Sequence, residues 1–122
     1  MLMAIQPTTL NHRYTTPNKL WEAMAAGVPV VASDLPGMAA IVHETGCGVL
    51  CDPTSAADVA RAIRSILELP PEDCAAMRER ALAAAHDRYN WAAQAVTLLA
   101  LYAGLTERAA ILPASRSTVE GA

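Results

Sequence analysis

The spacing of apolar and polar positions changes several times along the chain, and each change marks an element. Leu2 to Gln6 is a short, mainly apolar run that reads as a strand. Pro7 to Thr15, PTTLNHRYT, is polar and reads as a connection. The next stretch, TTPNKLWEAMAAGVPVVAS from Thr15 to Ser33, is the one around which the rest is organised. Thr16 followed by Pro17 is a helix start: a hydroxyl to cap a free N–H, then a residue that loses no bond at the first helical position. Leu20, Ala23, Met24 and Gly27 recur at three- and four-residue spacing and define one apolar face, with Asn18, Lys19 and Glu22 on another side. Gly27 ends that helix, and Val28 to Ala32 is a strand buried on both faces.

Further along, Ser33 to Met38 is a turn into a short helix over about 37–43, and Val49 to Cys51 is a third strand closed by Asp52-Pro53. Ser55 and Asp58 form a capping box ahead of a helix whose Val59, Ala62, Ile63, Ile66 and Leu67 make an amphipathic stripe. Pro70-Pro71 stops it and starts another, with Glu72 and Asp73 in the first turn, where the helix dipole favours them. Asn90 is expected to cap a last helix from Trp91 to about Ala103. Strands alternating with helices predict an α/β fold: a partial doubly wound parallel sheet of about three strands with flanking helices. The organised part should span 1–104, and residues 105–122 should form a disordered tail.

Composition narrows the class. The chain of 122 residues is 53% hydrophobic and 17% charged, which suits a packed core and not global disorder. Much of the apolar fraction is alanine, with no Phe, so close helix packing is expected. A net charge of −3 gives no reason to expect a nucleic-acid partner. No apolar run approaches the roughly 20 residues of a bilayer span. Three Cys without framework spacing suit a reducing compartment, and the expected location is the cytoplasm. Cys47 and Cys51 do not make a metal pair. Residues four apart on a strand lie about 13 Å from one another, far beyond two thiolates sharing one zinc at about 2.3 Å each. No metal, cofactor or nucleophile–base set is expected.

The run PNKLWEAMAAGVPVVASDLPGMAAIV, followed by GCGVL and Asp52-Pro53, resembles the signature of the group one retaining glycosyltransferases of the GT-B fold. The resemblance covers roughly residues 2–103. It implies a Rossmann-like C-terminal half of a GT-B enzyme that transfers a sugar from a nucleoside diphosphate sugar to an acceptor. It also implies that the acceptor-binding N-terminal domain and the first part of the donor domain lie outside these residues. The family pattern has two glutamates eight positions apart. Glu22 matches the second, but Tyr14 stands in place of the first.

On this resemblance Glu22 binds the ribose, because a carboxylate accepts hydrogen bonds from both hydroxyls of a cis-diol. Six residues into the helix, it should stand about 9 Å along the axis from the start. The N-terminal end, Thr16, Asn18 and Lys19, faces the diphosphate, where free backbone N–H groups and the positive end of the dipole favour an anion. Lys19, a cation where the dipole prefers an acid, fits that picture. Arg13, in the preceding connection, could reach a phosphate or sugar. The competing reading makes Glu22 a surface residue paired with Lys19 and Arg13 part of a solvated loop. Two alternatives stand at the level of function: a GT-B sugar-nucleotide epimerase, and a non-catalytic nucleotide-binding or scaffold module.

Overall fold

A computed structural model describes residues 1–111, with side-chain surroundings through Leu105. In chain order the elements are β1 (Leu2–Met3), α1 (Leu10–Tyr14), α2 (Asn18–Ala25), β2 (Val30–Ser33), α3 (Pro36–Thr45), β3 (Gly48–Cys51), α4 (Ala56–Leu67), α5 (Pro71–Asp87) and α6 (Trp91–Ile111). The strands form one parallel sheet in the order β1-β2-β3, with Leu2 opposite Val31 and Val31 opposite Val49. This is the expected α/β architecture.

Successive strand residues face opposite ways, and the sheet sorts its side chains accordingly. Val30, Ala32 and Leu50 pack with Leu20, Ala23 and Met24 of α2, Met38 and Val42 of α3, and Ala81 and Ala85 of α5. Val31, Val49 and Cys51 turn to the other face, against Val59, Ala62, Ile63 and Ile66 of α4. The α4 stripe is therefore the predicted one, except that Leu67 is exposed. Cys47 lies in the first core layer and Cys51 in the second, and burial pushes both thiols up in pKa. Among the described residues no group of three or more His, Cys, Asp or Glu is placed to hold a metal ion.

Gly48 makes the β2–β3 pairing possible. A Cβ there would stand 2.0 Å from the Val30 carbonyl oxygen, inside its van der Waals surface. The outer side of α2 is fixed by rings: Trp21 stacks on Tyr89 with centroids 4.9 Å apart. Tyr89 donates to Glu44, which also pairs with Arg88.

Several boundaries differ from the sequence expectation. β1 stops at Met3, because the chain turns back at Ile5, whose N–H bonds the Met3 carbonyl. The connection expected over 7–15 holds a five-residue helix, α1, capped by Thr9, whose hydroxyl accepts from the His12 N–H. Asn90 donates its side-chain amide to the carbonyls of Ala85 and His86, closing α5. α6 continues to Ile111, so residues 105–111 are helical where a tail was expected. The remainder of the expected tail, 112–122, lies outside the described residues. Met1–Asn90 and the chain from Trp91 are separate compact units. Among the described residues no helix is long and apolar enough to cross a membrane.

Candidate functional site

In a parallel sheet, each helix that follows a strand begins at the strands' carboxyl edge, where open α/β folds place their ligands. The chain leaving β1 is tied to that edge by long-range bonds. The buried Ser33 hydroxyl donates to the carbonyls of Met3 (3.2 Å) and Ile5 (2.9 Å). The Gln6 side-chain amide reaches the Pro53 carbonyl beyond β3 at 2.9 Å. From this anchored segment the chain enters α1 and then α2.

α2 starts one residue later than expected. Pro17 is its N-cap, extended at φ −66°, ψ 145°, and no side chain caps the helix. Thr16 is thus not the capping residue. It lies outside the helix and is exposed. Asn18 and Lys19 occupy the first turn, where main-chain N–H groups have no intrahelical acceptor. Glu22 is the fifth helical residue, about 6 Å along the axis from Asn18 at 1.5 Å per residue and not 9 Å. Leu20, Ala23 and Met24 are buried, which fixes the helix rotation and leaves Asn18, Lys19 and Glu22 exposed.

Arg13 is exposed at the end of α1, and Tyr14 beside it is 61% exposed. Arg13, Lys19 and Glu22 are in none of the ion pairs among the described residues, so the Lys19–Glu22 pairing of the competing reading does not form. His12 is engaged locally, its Nδ1 2.8 Å from the Thr8 hydroxyl. The arrangement offers an anion two free N–H groups, a helix dipole and a nearby ammonium. It offers a diol a carboxylate one turn on. What sequence reasoning missed is the backbone around these residues: α1, and the close approach of the Tyr14–Thr15 carbonyls to Gly37 in α3. A glycine in the first turn of a helix was the available signal.

Comparison with known proteins bears on this segment directly. The model of the family described as glycosyl transferases group 1 matches residues 12–83, more than half of the chain, and includes Arg13, Lys19 and Glu22. Among solved structures the chain is similar to the sucrose-phosphate synthase from Thermosynechococcus elongatus. The two share 30% identity over 76% of this chain, with a TM-score of 0.67. The chain spans only 23% of that protein's length. A search of curated proteins returns no match.

Proposed function

The chain belongs to the glycosyl transferases group 1 family, and on that premise we propose that it forms part of the donor half of a sugar-transferring enzyme. The donor is a nucleoside diphosphate sugar. Its diphosphate sits at the open end of α2, on the N–H groups of Asn18 and Lys19, with the Lys19 ammonium close by and Thr16 and Arg13 at the rim. Its ribose lies against Glu22, one turn further along. The acceptor is held by a domain outside these residues, as the 23% coverage of the neighbouring structure supports. Neutralising the departing diphosphate is the part of catalysis that this segment performs, because fixed N–H dipoles aimed at developing charge stabilise it without reorganisation.

The observation that carries the reading is the α2 N-terminus itself. It has no capping side chain, a cation in its first turn, and an exposed carboxylate bound to no protein group. Hydrogen bonds to a charged group contribute about 1.5–3 kcal/mol in favourable sites, and Glu22 is exposed, so only part of that applies. Glu22→Ala should weaken nucleotide binding about tenfold, equivalent to 1.4 kcal/mol. Glu22→Gln, which keeps one acceptor, should lose less. A 2′,3′-dideoxy nucleotide should bind all three proteins equally. Calorimetry of the three against both nucleotides is the test, and equal affinity of Glu22→Ala and parent for the ordinary nucleotide would remove Glu22 from the site.

A further inference from the structure

Gly37 is the second residue of α3, directly after Pro36. Alanine is the better helix former there, so helix formation does not account for the glycine. Its surroundings do. A Cβ at Gly37 would stand 2.7 Å from the carbonyl oxygen of Tyr14 and 2.7 Å from that of Thr15. Both are main-chain atoms and cannot swing aside as the end of a flexible side chain would. Tyr14 is the last residue of α1 and Thr15 its C-cap. Arg13 comes immediately before them, and Thr16 to Lys19 immediately after. One missing methyl group therefore lets this connection rest against the start of α3.

We propose that Gly37 is a positioning residue for the donor site: it sets how closely the α1–α2 connection approaches the sheet, and so where the Asn18 and Lys19 N–H groups stand. The inference rests on the donor reading above. Moving a carbonyl from 2.7 Å to the ordinary contact distance of 3.4 Å requires a shift of roughly 0.7 Å. N–H···O bonds occupy a window of only about 0.5 Å, so such a shift takes a bound phosphate out of reach of donors that move with the connection. Displacements of about 1 Å at a positioned group cost up to a hundredfold in related settings.

The test is calorimetric binding of uridine, guanosine and adenosine diphosphates to the 122-residue chain and two variants. Gly37→Ala should bind at least tenfold more weakly while remaining folded. Val42→Ala, which opens a cavity in the same helix at a buried position, should bind within twofold of the parent despite its lower thermal stability. Equal binding by Gly37→Ala and parent overturns the proposal, and so does equal weakening by both variants, because general loosening then suffices. A parent that binds no diphosphate overturns the donor reading and this inference with it. If the parent binds and Gly37→Ala binds as tightly, the donor reading survives and the positioning role does not. Should Gly37→Ala fail to fold, amide exchange in the parent decides. Nucleotide must slow exchange at Gly37 and Met38 together with Asn18 and Lys19, and protection confined to α2 overturns the proposal.

Discussion

Two helices begin at the same edge of the sheet and treat their N-termini in opposite ways. α4 is closed by its own sequence. The Ser55 hydroxyl accepts from the Asp58 N–H. The Asp58 carboxylate accepts from the Asp52 N–H at 2.8 Å and pairs with Arg61 at 2.6 Å. Arg61 reaches on to the Leu50 carbonyl. The polar groups at that corner thus serve one another, with an acid where the dipole favours one. α2 has a proline at its N-cap, no capping side chain, and Lys19 in its first turn. The first arrangement stabilises a fold, whereas the second leaves first-turn N–H groups without a side-chain acceptor. The difference is one of chemistry and not of position, since connectivity brings both helix ends to the carboxyl edge.

The sharpest way to break this contrast is to give α2 the kind of cap that α4 has. Pro17→Asp places a carboxylate where the diphosphate is proposed to sit, and the side chain competes for the same N–H groups. Two unit charges about 5 Å apart repel by about 3 kcal/mol at an effective dielectric of 20. Nucleotide binding should fall roughly a hundredfold, while denaturant unfolding shows stability unchanged or raised. Retained binding in this variant would show that the anion does not use the helix end.

The reverse change, Ser55→Ala, should cost about 1 kcal/mol in urea unfolding, the usual effect of losing a Ser cap. It should leave nucleotide affinity untouched. An affinity loss there would mean that the two helix ends are not independent.

Lys19→Ala should do the opposite. It removes a single exposed charge from the helix end, worth about 0.3–1 kcal/mol by the scale of charge–dipole effects. Nucleotide affinity should drop about two- to fivefold and become less sensitive to salt, with no loss of stability. Affinity that keeps the parent's salt dependence would assign the anion contact to the backbone alone.

The smallest effect is in the acid limb of stability. The Arg61 hydrogen bond, followed by that from the Asp52 N–H, holds the Asp58 carboxyl below its usual 3.8. Hydrogen bonds from Thr54 lower Asp52 in the same direction. A carboxylate depressed by folding adds stability that is present above the unfolded value and lost as pH falls through the folded one. Asp58→Asn should therefore flatten the decline in stability below about pH 4, and leave nucleotide binding near neutral pH unchanged. An unaltered acid profile would show that the Asp58 corner is not coupled to folding.

Local sequence determined the elements whose signals are complete within a dozen residues. α4 begins directly after its cap, Ser55, and α5 begins at Pro71, because a capping hydroxyl, a proline and first-turn acids act on backbone groups only a few residues away. The apolar face of α2 was legible for a similar reason: the periodicity of Leu20, Ala23 and Met24 states which side is buried, and hence that Lys19 and Glu22 are not. Local pattern misassigned the Thr16 cap, since whether Pro17 lies inside or before the first turn depends on where the preceding chain is held. Tertiary structure decided that. The α1–α2 connection is placed by Ser33 and Gln6 reaching across 28 to 47 positions of sequence and by the carbonyls of Tyr14 and Thr15 resting on Gly37. The Trp21–Tyr89 stack fixes the far side of α2 in the same way. Contacts between residues so far apart leave no period to read. They are settled only when the sheet brings its layers together and each backbone either fits against its neighbour or is kept out by a single methyl group.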